Sequence, residues 1–493
     1  MRVEKDSLGE IAVPRDAYYG IHALRARGNF SVTGQTPHRE LIWAMAMVKK
    51  ACAFANRQTG LLDETKAKAI FKACDEVAQG ALDSEIIVDA LSGGAGTSIN
   101  MNINEVIANR ALEHIGFEKG RYDIISPLED VNMNQSTNDV FPTAVKAAIV
   151  KLTGELAQEV ALLQGEFQKK EKEYAKILKV GRTEMQDAVP VTVGQEFSAW
   201  AEALNRDWWR LNKAVERLRQ INLGGTAAGT GLNCPKAYIE IAVEKLRELT
   251  GLPLAKADNL FEATQNTDTF SEVSGFLKTL AVDLIKIASD LRFLSSGPRA
   301  GIGELRLPAV QVGSSIMPGK VNPVIPEMVT QVGIKVVASD HAVSFACSLG
   351  NFELNPFLPL IAHEIIGAIK MLKNCCRIFR EKCVSGITVD ELRCRELFDK
   401  SSCIITAFSP YLGYETCAEI YKEALATGKR VEELLIEKGF FTEEEIKSIT
   451  QPQELTTPGF AGIKYLRARL LRQHTQSRNY RIRHREDNND CEE

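Results

Sequence analysis

Five apolar stripes at helical spacing, each about 20 to 30 residues long against a mean helix of about 11–12, constrain this chain more than any other feature. The first runs Val145, Ile149, Leu152, Leu156, Val160, Leu163, Phe167, in steps of three and four that keep one helix face. Pro142 then falls where a first helical turn tolerates it. A second stripe follows Pro190 through Phe197, Trp200, Leu204, Trp208, Leu211, Val215 and Leu218. A third runs Phe276, Leu280, Leu284, Ile287, Leu291, Leu294. The fourth starts after Pro323 and reaches Leu349, and the fifth spans Pro359 to Cys383. Helices of this length do not fit a compact α/β sandwich, so the chain reads as mainly α, with a central long-helix bundle.

At 493 residues the chain exceeds what one core usually organises. Four regions are expected: an N-terminal mixed and helical domain (1–138), the bundle (139–387), a small C-terminal helical domain (388–466) and a charged tail (467–493). In EELLIEKGFFTEEEIKSI, Gly439 stops one helix and Thr442 caps the next, with Glu445 completing a capping box. The tail carries seven arginines between Arg467 and Arg485 before EDNNDCEE reverses the sign. Such a segment reads as a solvated, disordered extension from Gln473 onward.

Hydrophobic residues make up 45% and charged residues 25%, which is too apolar for a disordered chain. A net charge of −4 gives no reason to expect nucleic acid or a membrane surface as partner, and small-molecule chemistry becomes the default. Eleven cysteines lie scattered without a C-x-x-C pair, as in a reduced cytosolic protein. The N-terminus MRVEKDSLGEI lacks an apolar signal region, and no segment approaches roughly 18 uninterrupted apolar residues. The expectation is a soluble, cytoplasmic protein.

Between the helices lie four runs dense in Gly, Ser, Thr and Asn: SGGAGTSINMN (92–102), NQSTND (134–139), GGTAAGTGLNCP (224–235) and GSSIMPGKVNP (313–323). Plain turns use the same residues, but four such corners flanking one bundle point to an anion-binding site. Gly313 to Lys320 resembles a phosphate loop, yet it has five residues between its glycines, and Val321 replaces the Ser or Thr that would bind Mg²⁺. His363-Glu364 lacks a second histidine at metalloprotease spacing. What remains is a set of donors with one cation: Thr97, Ser98, Asn100, Ser136, Thr137, Asn138, Thr183, Ser314, Ser315, Lys320 and Asn322. Such a set suits a small di-acid. Ser314 becomes a base only if the glycine-rich loop aims backbone N–H groups at its oxygen and Lys320 stabilises the alkoxide.

GSSIMPGKVNPVIPE (313–327) resembles the signature loop of the class II fumarase and aspartase superfamily. GGAGTSINMN (93–102), NQSTNDVFPT (134–143), GRTEMQDAVP (181–190) and GTGLN (229–233) join it in the right order, and the resemblance covers residues 2–466. Tyr19 in DAYYGIHALRA, Thr137 in QSTND and the stretch 413–439 are more similar to the aspartase branch, whereas GNFELN (350–355) is closer to fumarase spelling. The resemblance implies a homotetramer with D2 symmetry, a shared 20-helix core and active sites built from three subunits. It also implies reversible deamination of L-aspartate to fumarate and ammonia, with fumarate hydratase or a lyase for a close aspartate derivative as the alternative. A silent scaffold that kept the fold would need none of Ser314, Lys320 and Asn322. By the same resemblance Ser314 is the general base. Thr97, Ser136, Thr137 and Ser315 hold the carboxylate that becomes an aci-carboxylate dianion. Thr183, Lys320 and Asn322 anchor the other carboxylate, and Asn138 with Thr97 faces the amino group. The resemblance further implies that no organic cofactor is required and that Mg²⁺ would enter only as an activator.

Three positions depart from the family pattern. Position 184, histidine or glutamine in relatives, is Glu184, and the family places that side chain near the glutamate matched by Glu327. Two carboxylates sharing a pocket cannot both ionise cheaply, so one pKa is expected to rise. Glu184 is then expected to accept a hydrogen bond from the substrate ammonium. SPLED (126–130) replaces a His-Pro-Asn-Asp type sequence, so no second dicarboxylate site is expected there. Cys234 reads as packing, since no histidine accompanies it.

Overall fold

The computed structural model describes residues 1–467; from residue 468 the charged tail, expected to be disordered, lies outside the described residues. The chain opens with an antiparallel hairpin, β1 (Arg2–Asp6) and β2 (Gly9–Val13), followed by helices α1 (Ile21–Asn29), α2 (Arg39–Gln58), α3 (Glu64–Gln79) and α4 (Thr97–His114). The 37-residue α5 (Thr137–Glu173) leads into a second hairpin, β3 (Leu178–Thr183) and β4 (Gln186–Thr192). Then come α6 (Val193–Leu218), α7 (Lys236–Thr250), α8 (Leu260–Gln265), α9 (Asp268–Leu294), α10 (Val324–Ser348) and α11 (Leu358–Lys382). Short helices between Glu391 and Thr456 follow.

The fold is mainly α, and each of the five expected long helices is present. Every residue of the first stripe, from Val145 to Phe167, is buried. The third is shifted: Phe270, Val273, Leu277, Leu280, Leu284, Ile287, Leu291 and Leu294 are buried, while Phe276 is only half-buried. Pro142 is not in the first turn either, because α5 begins at Thr137. A proline inside a helix removes the N–H that would reach the carbonyl four residues back, here that of Asn138. The Asn222 Nδ2 donates to that carbonyl instead, at 2.9 Å, so the helix passes through proline without an unsatisfied group.

Contacts in space divide the chain into two compact units. The first comprises Met1–Leu163, Leu204–Ala288 and Glu327–Phe379; the second comprises Gln164–Ala203, Ser289–Pro326 and the chain from Arg380 onward. In the first unit, α4 buries Asn100, Asn102, Asn104, Glu105 and Asn109 alongside its apolar residues, which erases its amphipathic pattern. Glu105 caps α1, accepting from the backbone N–H groups of Gly20, His22 and Ala23 at 2.8, 2.7 and 3.2 Å. Its burial outweighs those bonds and pushes its carboxyl pKa up to about 8. In the second unit, the expected arrangement around Gly439 is present: Gly439 has φ +68, and Thr442 and Glu445 form the capping box. The segment at SPLED forms one turn, with Ser126 Oγ accepting from the N–H groups of Leu128 and Glu129 and Lys66 paired with Asp130.

Candidate active site

Within the first unit, the heads of α4 and α5 meet. Thr97 is the first residue of α4, behind Gly96 at φ +96. A Cβ on Gly96 would lie 2.6 Å from the Phe141 ring, so both the backbone conformation and the space demand glycine. The Thr97 hydroxyl donates to the Gly94 carbonyl at 2.7 Å. One turn on, Asn100 Nδ2 donates to Thr137 Oγ1 at 3.0 Å, joining the two helix heads. With its oxygen accepting from Asn100, the Thr137 hydroxyl keeps its proton for another acceptor.

Asp139, which the sequence did not single out, organises this corner. Its carboxylate accepts from the N–H groups of Ser136, Gly224 and Thr226 at 3.0, 3.0 and 3.1 Å. Complete burial pushes its pKa up to about 6 against those bonds. Asn138 Nδ2 donates to the Ala227 carbonyl at 2.8 Å. The corner at 134–139 and the glycine run from Gly224 are therefore one structure. Ser136, Thr137, Asn138, Thr97 and Asn100 lie together in it; Ser98 is a half-buried residue of α4's first turn. Cys234, at the end of the glycine run, is half-buried, and burial pushes its thiol up to about 12, which fits packing rather than nucleophilic chemistry.

In the second unit, Thr183 pairs with Gln186 across a two-residue turn at the tip of the β3–β4 hairpin. Both turn residues, Glu184 and Met185, are left-handed, with φ +53 and +65. A turn of this handedness matches strand twist and usually takes Asn-Gly; Glu and Met hold it at a cost of roughly 1–3 kcal/mol each. The whole tip, Thr183 to Asp187, is exposed. Its root is fixed by charge: Lys179 Nζ contacts Glu196 at 2.7 Å and Glu304 at 2.8 Å, and the Arg182 guanidinium bonds both Glu304 oxygens at 3.1 and 3.0 Å. Lys179 and Glu304 are almost completely buried.

The loop Gly313 to Asn322 in the same unit is closed at its neck. Gly313 N–H donates to the Lys320 carbonyl at 2.9 Å, and Asn322 Nδ2 donates to the Gly313 carbonyl at 2.8 Å. A Cβ on Gly313 would lie 2.6 Å from the Lys320 oxygen, so the neck closes only around glycine. Ser314 Oγ accepts from the N–H groups of Ile316 and Met317 at 3.2 and 3.0 Å. Two backbone N–H groups thus aim at this hydroxyl oxygen. Ser315 and Lys320 lie exposed on the same loop. Asn322 spends one of its two amide hydrogens at the neck, a structural duty its motif did not announce. Glu327 belongs to the first unit, half-buried in the first turn of α10.

Sequence reasoning also missed Lys49, Asn132 and Gln135, which back the 134–139 corner. The available signal was the pair Lys49-Lys50 inside an apolar helical run, where one lysine has to face inward.

A family model described as Lyase matches residues 9–338, and one described as Fumarase C C-terminus matches residues 404–457. An aspartate ammonia-lyase from Bacillus sp is 49% identical over 464 residues, 94% of this chain and 99% of that protein. An aspartate ammonia-lyase from Pseudomonas aeruginosa is 48% identical over 460 residues, covering 93% of this chain and 97% of the relative. A fumarate lyase:delta crystallin from Brucella melitensis, solved bound to cobalt, superposes with a TM-score of 0.89 at 47% identity, covering 93% of this chain and all of that one. A class II fumarase from Schistosoma mansoni gives 0.88 at 34% identity, covering 93% of this chain and 99% of that one. Fold, motif order and near full-length identity agree, and the chain belongs to the class II fumarase/aspartase superfamily of lyases.

Proposed function

We infer that this protein is an ammonia-lyase that converts L-aspartate reversibly to fumarate and ammonia. The observation that carries the chemistry is the pair of backbone N–H groups on Ser314 Oγ, which stabilises the alkoxide a serine base requires. Ser314 takes a proton from the carbon beside one carboxylate. The electron pair moves into that carboxylate, giving an aci-carboxylate dianion. It then returns to form the carbon–carbon double bond as the carbon–nitrogen bond breaks and ammonia leaves. Thr97, Ser136, Thr137 and Ser315 hold the carboxylate on which charge grows. Each such donor contributes on the order of 10²-fold in rate when aimed at charge that develops in the transition state. Thr183, Lys320 and Asn322 hold the other carboxylate, and Asn322 also closes the neck of the loop that carries Lys320. Asn138 with Thr97 faces the amino group. Glu184 accepts from the substrate ammonium, with Glu327 in a supporting role.

The relatives named aspartate ammonia-lyase support aspartate as substrate, at 45–49% identity against 34% for the Schistosoma fumarase. The fumarase-like spelling GNFELN supports fumarate hydratase as the second reading. We place the enzyme in the cytoplasm as a D2 homotetramer whose sites take residues from three subunits, acting without an organic cofactor and with Mg²⁺ as an activator. No helix among the described residues is long and apolar enough to cross a membrane.

The test is ultraviolet absorbance of fumarate on adding L-aspartate or L-malate, with Ser314→Ala as control and with and without chelator. Fumarate from aspartate alone, lost in Ser314→Ala, is the expected result. Fumarate from malate alone would make the enzyme a hydratase, and an active Ser314→Ala would remove the serine base. Light scattering on a monomer would remove the shared-site arrangement.

A further inference from the structure

Lys49 lies in the middle of α2 with no exposed surface. A lysine buried this fully is almost always paired with a carboxylate. No carboxylate lies within ion-pair distance of Lys49 among the described residues. Its Nζ donates instead to two neutral amide oxygens, Asn132 Oδ1 and Gln135 Oε1, both at 2.8 Å. Asn132 Oδ1 also accepts from Asn100 and Asn104 at 3.3 and 3.2 Å. The Oδ1 atoms of these two asparagines are themselves buried without a partner. The ionisable groups facing the ammonium are Cys52 on its own helix, Cys74 on α3 and Asp139 at the head of α5, with Tyr238 of α7 beyond Cys52. Burial without an ion pair pulls the Lys49 pKa down to about 8.

A buried cation with no carboxylate at ion-pair distance is costly even with Asp139 facing it, and two unpartnered amide oxygens beside it add to the cost. The arrangement makes sense if negative charge arrives from outside. Asn100 Nδ2 contacts both Asn132 Oδ1 and Thr137 Oγ1, so the ammonium stands directly behind the Ser136–Thr137 corner. We propose that Lys49 is a positioning residue for the lyase reaction, a buried positive charge that fixes Asn132 and Gln135 behind the corner and stabilises the dianion forming on the carboxylate held there. The proposal rests on the reading of that corner as a carboxylate site. In a low-dielectric interior a charge acts over several ångströms, which a surface cation cannot do through water.

The test compares wild-type enzyme with Lys49→Met and Lys49→Gln, after circular dichroism and light scattering have checked fold and assembly. Inhibition by succinate, which has no amine to titrate in this range, is measured across pH together with kcat and KM for L-aspartate. In the wild type, succinate affinity is expected to fall as pH rises through about 8 and the ammonium loses its charge. In Lys49→Met it should be weak and independent of pH there, with kcat/KM lower by on the order of 10²-fold. A folded Lys49→Met with wild-type succinate affinity, or with the same alkaline loss, would overturn the proposal. Lys49→Gln, which keeps hydrogen-bonding capacity without the charge, is expected to behave like Lys49→Met, and a folded Lys49→Gln with wild-type succinate affinity also overturns the proposal. Thr137→Val and Ser136→Ala separate the two readings. Unchanged succinate affinity in those variants refutes the carboxylate corner itself, whereas loss there with an unaffected Lys49→Met refutes only the role of Lys49.

Discussion

Replacing Gly313 by alanine tests whether the closed neck of the 313–322 loop is the working form. The added Cβ would stand 2.6 Å from the Lys320 carbonyl oxygen and 2.8 Å from the Asn322 nitrogen. Both are backbone atoms and cannot swing aside as a side-chain tip would. The neck must open by most of an ångström to restore ordinary contact, which breaks the 2.9 Å bond to Lys320 and the 2.8 Å bond from Asn322. Each such bond is worth about 0.5–1.5 kcal/mol net, so closure becomes harder by roughly 1–3 kcal/mol. If the chemistry requires the closed loop, kcat/KM for aspartate falls by roughly 5- to 150-fold. Residues 315–321 are exposed, so the thermal unfolding midpoint should hardly move. Steady-state kinetics on Gly313→Ala, beside a thermal melt, give both numbers. A variant with kcat/KM within about twofold of wild type would show that the neck does not hold Ser314 and Lys320 for catalysis.

Gly96→Ala combines a left-handed backbone with a Cβ 2.6 Å from the Phe141 ring, and urea unfolding should show a loss of roughly 2–5 kcal/mol. Glu304→Gln removes one buried carboxylate from Lys179 and, among the described residues, the only one bonded to Arg182, leaving charge unpaired at the hairpin root. Thermal melting should report roughly 3–5 kcal/mol of destabilisation. Glu184→Gln should raise KM for aspartate about tenfold through loss of a charged acceptor and should shift the pH–rate profile. Unchanged affinity with an unshifted profile would mean that Glu184 does not meet the ammonium.

The legible parts of this protein were those where one physical signal acts alone. Leu152, Leu156 and Leu163 repeat at helical spacing because the face they share is wholly apolar, so α5 could be read directly. Thr442 and Glu445 are equally local, since a capping box involves only residues three apart. The start of α5 was misplaced because Pro142 looks like a first-turn residue until Asn222, eighty positions on, takes the carbonyl that proline leaves free. The length of α4 was hidden for a related reason. Two of its inward asparagines, Asn102 and Asn109, bond the distant backbone at Glu85, Ile87 and Tyr18, and such residues read as solvent-facing in a hydropathy pattern.

The sequence by itself determined the long helices, the glycine-rich corners between them and the superfamily, because periodicity and motif spelling are carried by neighbouring residues. Tertiary structure alone decided what the buried polar groups do. Asp139 became the tie between the 134–139 corner and Gly224, Asn322 became the clasp of the loop carrying Ser314, and Lys49 became a cation surrounded by amides. A hydrogen bond depends on which donors and acceptors meet at about 3 Å, and for these residues the partners are supplied by segments that only folding brings within reach.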